Sequence, residues 1–271
     1  MSGIIYPVSI LGGLGLLFGI GLSLASKAFA VKVDPKVEGI RKVLPGANCG
    51  ACGYPGCDGC ANAIAEGKAP VNACSVGGKP VAEKVADIMG VNAVESVRYV
   101  ATVLCQGDCD KAKEKYIYDG IQDCRAQKIL AGGSKSCSYG CLGCGTCKDV
   151  CKYDAIKIVN GIAVIDKEKC VSCKACIEAC PKGIIELVPY DQEVVVKCKS
   201  NDPGKAVRSN CSTGCIGCKM CVRNCPQDAF IFENNLAKID YAKCVNCGIC
   251  AEKCPTKAIW SSLRNNKAVN E

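Results

Sequence analysis

The sequence contains no histidine, and this absence removes several kinds of site at once. Zinc sites with imidazole ligands, haem irons with an axial histidine and Ser-His-Asp triads all require this side chain. The sequence also lacks a G-x-G-x-x-G turn between a strand and a helix, and it lacks a G-x-x-x-x-G-K-[ST] loop. The chain therefore carries no nucleotide-binding fingerprint of its own.

Aromatic residues are scarce, whereas cysteine is abundant. The 271 residues include four Phe and one Trp, so we do not expect a conventional aromatic core. The 27 cysteines are a share typical of short secreted disulfide scaffolds. The length of the chain and the odd number of cysteines argue against such a scaffold. The cysteines are therefore candidate metal ligands.

An uncharged apolar segment opens the chain. Residues 1–26 carry no charge, and Ile4–Ala25 form an apolar run of 22 residues, long enough to span ~30 Å of hydrocarbon. Positive residues follow this run and none precedes it. They are Lys27, Lys32, Lys36, Arg41 and Lys42. The positive-inside rule therefore predicts a single-pass anchor in the cell membrane, with the bulk of the chain on the cytoplasmic side.

A cleaved signal peptide is the alternative, because Ala28-Phe29-Ala30 has the form of an A-x-A cleavage site. However, no positive charge precedes the apolar run, and the run is longer than the core of a usual signal peptide. Both observations favour the anchor.

Four segments near the C-terminus carry the spacing C-x2-C-x2-C-x3-C, which is the bacterial ferredoxin run for 4Fe-4S clusters. They contain Cys141, Cys144, Cys147 and Cys151; Cys170, Cys173, Cys176 and Cys180; Cys215, Cys218, Cys221 and Cys225; and Cys244, Cys247, Cys250 and Cys254. Pro follows the last cysteine in three of the runs, whereas Lys152 follows it in the first. Structural zinc is the alternative, but zinc would leave the third cysteine of every triple idle.

A hairpin-like stretch separates the two runs of each pair, at 155–166 and 230–240, with turns at Asn160-Gly161 and Asn234-Asn235. Each pair therefore predicts one two-cluster ferredoxin domain, in which the fourth cysteine of each run binds the other cluster. The predicted ligand sets are Cys141, Cys144, Cys147 and Cys180; Cys170, Cys173, Cys176 and Cys151; Cys215, Cys218, Cys221 and Cys254; and Cys244, Cys247, Cys250 and Cys225.

A fifth 4Fe-4S site is predicted upstream, in a loop rich in Gly and Pro. Its ligands are Cys49, Cys52, Cys57 and Cys74. Glycines in such a loop let backbone N–H groups approach the cluster sulfurs. Cys60 either replaces Cys57 or is a buried thiol, and we favour the buried thiol.

A sixth set has loose spacing and consists of Cys105, Cys109, Cys124 and Cys137. The chain contains the same pattern twice. In the first copy, Val103-Leu104-Cys105 precedes Cys137-Ser138-Tyr139-Gly140-Cys141, and in the second, Val196-Lys197-Cys198 precedes Cys211-Ser212-Thr213-Gly214-Cys215. Since Cys109 and Cys124 have no counterpart in the second copy, we predict that the first copy completes a cluster. Cys198 and Cys211 would then be a vestigial pair.

Six clusters change the meaning of the formal charge of +8. Each 4Fe-4S core with four thiolates carries roughly −2, which would bring the total to about −4. The formal charge is thus no argument for a nucleic-acid partner.

The predicted fold class is α+β, small and templated by its cofactors. The predicted parts are an anchor at 1–30, a connector at 31–44, an N-terminal 4Fe-4S domain at 45–80, a linker with an additional cluster at 81–136, ferredoxin domains at 137–190 and 211–262 with a linker at 191–210 between them, and a tail at 263–271. Helical spacing over 81–89 ends at Gly90, and 94–103 is predicted to be a strand.

Three features stand together in this chain: the anchor, the loop Asn48-Cys49-Gly50-Ala51-Cys52-Gly53-Tyr54-Pro55-Gly56-Cys57 and the segment Cys105-Gln106-Gly107-Asp108-Cys109. In this combination the chain closely resembles the B subunit of the Rnf complex, in its clostridial form. Asp123-Cys124-Arg125 and the stretch from Cys137 to Gly143 share this resemblance. Lys152 departs from it, since the family generally has Pro there.

The resemblance implies a subunit of a membrane ferredoxin:NAD oxidoreductase that couples electron flow to Na⁺ or H⁺ transport. Such a subunit takes electrons from soluble ferredoxin and passes them to membrane and flavin subunits, while the flavin and NAD sites lie in partner subunits. An electron-transfer subunit of a hydrogenase or heterodisulfide reductase complex is the alternative. A zinc or iron-storage protein is a more remote one.

Two basic groups are candidate docking surfaces for an acidic ferredoxin. One contains Lys197, Lys199, Lys205 and Arg208, and the other contains Lys111, Lys113, Lys115, Arg125 and Lys128. Solvated charge without a partner is the alternative for either group.

Overall fold

The computed structural model describes residues 2–28, 34–92 and 97–262. Residues 29–33 of the predicted anchor and connector, the N-terminal part of the strand predicted at 94–103 and the predicted tail at 263–271 lie wholly or partly outside the described residues.

The described residues form ten helices and eight strands. The helices are α1 (Ser2–Ala28), α2 (Pro35–Val43), α3 (Gly56–Ala65), α4 (Gly78–Met89), α5 (Cys124–Ile129), α6 (Thr146–Asp149), α7 (Ala175–Ala179), α8 (Gly204–Asn210), α9 (Met220–Arg223) and α10 (Ile249–Glu252). The strands are β1 (Tyr99–Val103), β2 (Ile156–Val159), β3 (Ile162–Ile165), β4 (Ile185–Pro189), β5 (Val194–Val196), β6 (Phe230–Glu233), β7 (Leu236–Ile239) and β8 (Ile259–Ser261).

The first helix, α1, is long and apolar. Its 27 residues correspond to a length of about 40 Å at the α-helical rise per residue. The window Ser9–Lys27 has a mean hydropathy of 1.8, and none of it is buried within the chain. By length and composition α1 could therefore cross a membrane.

Three short helices form an N-terminal unit with its own small core. Asp34 caps α2 by accepting a hydrogen bond from the backbone N–H of Lys36 at 2.8 Å, and Gly90 ends α4 in the left-handed conformation. The end of the helix predicted at Gly90 is thus confirmed. Ile40 of α2, Ile64 of α3 and Val85 of α4 are essentially inaccessible to solvent and lie in one core cluster. Apolar contact between the helices therefore holds this unit together.

Ile64→Ala should weaken the N-terminal unit specifically. Ile64 is 1% exposed, and removing a buried side chain of this size costs about 2–5 kcal/mol. We expect the opening free energy of α2, α3 and α4, measured by amide hydrogen exchange, to fall by that amount. Ile117→Ala is the matched control, because Ile117 is 90% exposed. Equal exchange in both variants would contradict the assigned core.

The rest of the described chain consists of two similar parts, the first repeat (97–190) and the second repeat (191–262). Each contains two antiparallel sheets of two strands, β1 with β4 and β2 with β3 in the first, and β5 with β8 and β6 with β7 in the second. The hairpins turn at Asn160-Gly161 and Asn234-Asn235, where all four residues have positive φ. This is the backbone that a two-residue hairpin turn requires, and both predicted hairpins are confirmed.

A very short helix lies in each ferredoxin run, and its first turn contains the third cysteine. The residues preceding these helices, Gly145, Lys174, Lys219 and Gly248, all have left-handed φ. This conformation is uncommon for a lysine and requires support from the surrounding structure. The abrupt change of direction brings the third cysteine of every run into the interior. The fold is thus a mixture of short helices and strands, as predicted.

Candidate iron-sulfur sites

The cysteines of the ferredoxin runs meet across each repeat. One cavity in the first repeat is lined by Cys141, Cys147 and Cys180. Cys180 belongs to the other run of the pair, so the structure brings the fourth cysteine of one run to the first and third cysteines of its partner. Cys124 lines the same cavity, and Cys144 lies beside Cys124. The same exchange is present in the second repeat, in a separate cavity. That cavity is lined by Cys215, Cys218, Cys221 and Cys254.

The thiols of the remaining two sets also lie close to one another. Burial, together with the smaller effect of the nearby thiols of Cys170, Cys173 and Cys151, raises the pKa of Cys176 to about 12. Burial likewise raises the pKa of Cys250 to about 12, with Cys244 and Cys247 as close neighbours.

Cys225 lies after α9, where its Sγ accepts a hydrogen bond from the backbone N–H of Ala229 at 3.4 Å. Its assignment to the Cys244 set stays a prediction.

The protonation of these thiols matters for what they can bind. Burial raises the pKa of Cys147, like that of Cys176, to about 12, so the free thiol is neutral at physiological pH. A metal or cluster that binds a thiolate must displace this proton, and binding therefore weakens as the pH falls. Without a bound metal or cluster, such buried neutral thiols are poor nucleophiles.

Backbone and side-chain N–H groups point at several of the sulfurs. Ala101 N lies 3.4 Å from Cys170 Sγ, and Gln192 Nε2 lies 3.3 Å from Cys244 Sγ. Donors of this kind stabilise negative charge on sulfur and raise the potential of a bound cluster.

Glycines permit close packing of the backbone at these loops. A Cβ on Gly143 would lie 2.5 Å from the carbonyl oxygen of Gly161, and one on the equivalent Gly217 would lie 3.1 Å from that of Asn235. In each repeat the hairpin turn therefore closes directly over the cysteine loop.

The cysteines of the ferredoxin runs line cavities and do not converge on a single point. In the described residues, no group of three or more His, Cys, Asp or Glu side chains is arranged to hold a single metal ion. A 4Fe-4S cube is larger than an ion and is bound at its corners, so its ligands stand around a cavity. The donor set and its spacing fit such a cube.

The N-terminal loop forms a further cavity. It is lined by Cys49, Cys52, Cys57, Cys60 and Cys74. Cys60 is the deepest of the five at 1% exposure, and burial, followed by the adjacent Cys52, raises its pKa to about 12. Cys49 is exposed. Cys60 is therefore buried, and its assignment as a thiol that binds no iron stays a prediction.

This N-terminal cavity lies against the first repeat. Lys174 Nζ donates a hydrogen bond to the carbonyl oxygen of Ala51 at 3.1 Å. The pKa of Cys173 is raised mainly by burial, and the charge of Cys49 contributes to the rise because the two thiols are near each other. The fifth site is therefore a neighbour of the Cys170 set.

The structure does not bring the loosely spaced set together. Cys105 and Cys137 line one cavity, whereas Cys124 lines the cavity of Cys141. Cys109 is exposed, and its backbone N–H bonds the carbonyl oxygen of Asn160 in the hairpin turn.

The cavity of Cys105 and Cys137 also contains Cys198 and Cys211, the two cysteines that we predicted to be vestigial. The sequence parallel makes Cys198 and Cys211 the counterparts of Cys105 and Cys137, but it did not predict that the four share a cavity.

Comparison with known families agrees with this geometry. A family model described as an Fe-S cluster matches residues 44–76. A 4Fe-4S dicluster domain model matches residues 140–184 and 214–258, and a second model of the same description matches residues 169–230.

Three relatives align with most of the chain. The chain is 56% identical to the B subunit of the Na⁺-translocating ferredoxin:NAD⁺ oxidoreductase complex of Acetobacterium woodii, over 90% of this chain and 73% of the relative. It is 43% identical to the B subunit of the proton-translocating ferredoxin:NAD⁺ oxidoreductase complex of Clostridium ljungdahlii, over 89% and 85% of the two chains. It is 42% identical to the B subunit of the ion-translocating oxidoreductase complex of Methanosarcina acetivorans, over 89% and 92%.

The chain belongs to the family of Rnf B subunits. Membership accounts for the combination of an apolar N-terminal helix, an N-terminal Fe-S region and two 4Fe-4S dicluster regions in one chain. The three relatives are named as B subunits of oxidoreductase complexes. Lys152, at the position of the expected Pro, is exposed and leaves the adjoining Cys151 within its set.

Proposed function

We propose that this chain is the electron-transfer subunit of a membrane-bound ferredoxin:NAD oxidoreductase. It accepts electrons from reduced ferredoxin and relays them to membrane and flavin subunits, and the complex couples this flow to Na⁺ or H⁺ transport. The observation that carries the proposal is the 56% identity to the Acetobacterium woodii protein over 90% of this chain.

Bound 4Fe-4S clusters, most simply six, would supply the one-electron carriers. The chain's own residues hold and insulate them. Thiolates are the ligands, N–H groups such as Ala101 N donate to sulfur, and short apolar strands cover the sites. The chain contributes no acid, base or nucleophile to the reaction, and the flavin and NAD sites belong to partner subunits.

The chain is anchored by α1, with everything after it on the cytoplasmic side. The proposal is supported by the apolar, uncharged residues 9–26 of α1 and by the positive charges that follow them at Lys27, Lys36, Arg41 and Lys42. The N-terminal cavity follows the anchor closely in sequence, so we assign delivery of electrons to the membrane partners to this site. The ferredoxin repeats accept electrons.

Ferredoxin docking is best supported at the basic group that includes Lys113 and Arg125. Both side chains are exposed and form no ion pair with a described residue, although Arg125 lies near Asp123. Lys111 of the same group is paired with Asp108. Three exposed isoleucines lie in the same segment, Ile117, Ile121 and Ile129, at 90%, 75% and 83% exposure. Exposed apolar groups beside unpaired positive charge suit a transient acidic partner.

The other basic group has less free charge. Lys199 forms an ion pair with Glu186, and the ammonium of Lys197 lies 4.8 Å from the centroid of the Trp260 ring. Lys205 and Arg208 remain exposed there.

Charge reversal at Lys113 and Arg125 tests this proposal. Lys113→Glu with Arg125→Glu should slow reduction of the chain by ferredoxin by roughly tenfold at low ionic strength and should flatten its salt dependence. Lys205→Glu with Arg208→Glu is the matched control, since it makes the same change in charge. Stopped-flow reduction at several salt concentrations measures both variants.

Slowing by the control pair alone would move the docking surface to the other basic group. The proposed function itself would be refuted if the wild-type chain accepted no electrons from reduced ferredoxin.

A further inference from the structure

We propose that Cys105, Cys137, Cys198 and Cys211 bind a 4Fe-4S cluster at the junction of the two repeats. This inference deepens the proposed function and rests on it. It replaces Cys109 and Cys124 of the loosely spaced set by two cysteines from the second repeat. The unligated cysteines would then be Cys60, Cys109 and Cys124.

The cavity between the repeats provides the first support. All four thiols line it. A Cβ on Gly107 would lie 3.4 Å from Cys211 Sγ and 3.7 Å from Cys105 Sγ. The two sulfurs are therefore at most about 7 Å apart, which is the sum of these two distances. Cys137 is close to both, because Cys105 and Cys211 each add to the rise in its pKa, which is caused mainly by burial. The sulfurs are thus gathered on one space although they are up to 106 positions apart in sequence, from Cys105 to Cys211.

The equivalence of the two repeats provides the second support. Leu104 and Cys105 follow β1, and Lys197 and Cys198 follow β5 in the same way. The backbone N–H of Leu104 bonds the carbonyl oxygen of Ile184 at 2.8 Å, and that of Lys197 bonds Ala258 at 2.9 Å, so both strand ends are held alike. Each repeat therefore contributes one cysteine after a strand and one four residues before its first ferredoxin cysteine.

The backbone fixes the two halves of the site against each other. Ala112 and Cys211 form an antiparallel bridge. On either side of it, Lys113 N bonds the carbonyl oxygen of Asn210 at 2.9 Å and Ser212 N bonds that of Lys111 at 2.9 Å. The convergence of the thiols is thus built into the packing of the repeats.

Positive charge stands beside this cavity. Lys197 and Lys199 line it, and the buried Lys135 donates to the carbonyl oxygen of Gly107 at 2.7 Å. Four thiolates and a cube together carry roughly −2, and the ammonium groups of Lys197 and Lys135 would offset part of that charge. Lys199 is already paired with Glu186.

The position of the site gives it a specific role. Cys141 N lies 3.5 Å from Cys105 Sγ, and Cys215 N lies 3.3 Å from Cys198 Sγ. Cys141 and Cys215 are the first ligands predicted for the first cluster of each repeat. A cluster here would stand between those two clusters and connect the repeats. With the N-terminal cavity beside the Cys170 set, it would complete one continuous series of six sites.

Iron analysis of single variants tests the site. The full-length chain, purified without air, should contain about 24 irons and as many sulfides, since six clusters hold four each. Cys211→Ala should contain about 20 of each, whereas the matched Cys109→Ala should keep the wild-type content. Loss of iron from Cys109→Ala, or full iron in Cys211→Ala, would overturn the inference.

Labelling of the wild-type chain decides the question even where Cys211→Ala fails to fold. Cys109 is exposed, so iodoacetamide should label it rapidly in the intact protein if it binds no iron. Protection of Cys109 until the clusters are removed by acid would refute the inference. Reduction of the same preparation by ferredoxin is scored separately, so a failure of the proposed function is distinguishable from a failure of this site.

Discussion

Cys52→Ala should still be reduced by ferredoxin, but it should lose essentially all transfer to the membrane partners. Cys52 lines the N-terminal cavity, and a cluster with only three thiolates there is labile. This cavity lies nearest to the anchor in sequence, while the repeats that accept electrons keep all of their cysteines. The measurements are stopped-flow reduction of the isolated variant and ferredoxin-dependent NAD⁺ reduction by membranes that contain it.

Cys60→Ala is the matched control for this prediction. Cys60 lies in the same cavity but is the thiol to which we assign no iron, so iron content and transfer should stay close to wild type. If Cys52→Ala passed electrons to the membrane normally while its reduction by ferredoxin failed, the assigned direction of flow would be wrong. If Cys60→Ala lost as much iron as Cys52→Ala, Cys60 would be a ligand.

Two lysines placed in the middle of α1 should release the chain from the membrane. Leu14 and Leu17 lie within the apolar window Ser9–Lys27. A lysine at the centre of a membrane helix costs roughly 3 kcal/mol, so Leu14→Lys with Leu17→Lys should abolish insertion. The measurement is the fraction of the chain that resists carbonate extraction, with iron content as the check that the rest of the protein is intact.

Leu14→Ala with Leu17→Ala shortens the same side chains without adding charge and should stay in the membrane. Retention of the lysine variant would show that partner subunits, and not α1, hold the chain there. If both variants were lost from the membrane, membrane retention of α1 would depend on the size of these side chains, as it does when a helix packs against another helix.

The local features of the fold could be predicted because short-range rules govern them. The end of α4 follows from Gly90, which adopts the left-handed conformation at little cost. The two hairpins follow from alternating apolar residues around Asn160-Gly161 and Asn234-Asn235. The strand predicted at 94–103 is described only from Tyr99 to Val103, where β1 pairs with β4 some 80 positions later.

The loosely spaced cysteines show where such rules end. The prediction grouped Cys105 with Cys109 and Cys124 because these cysteines follow one another in the sequence. In the structure Cys109 meets the hairpin turn and Cys124 joins the cavity of Cys141. The internal parallel between the copies indicated that Cys198 and Cys211 correspond to Cys105 and Cys137. It did not indicate that the two copies face each other.

The sequence by itself determined the membrane-length helix, the family and the cysteine loops of the ferredoxin runs, because each depends on residues within one element or one turn. Only the tertiary structure decided that Cys105, Cys137, Cys198 and Cys211 share a cavity. That grouping depends on how the two repeats pack through Ala112 and Cys211, and on the backbone bonds beside them. Contacts between distant segments are selected by the shape and burial of the whole fold, which local spacing does not encode.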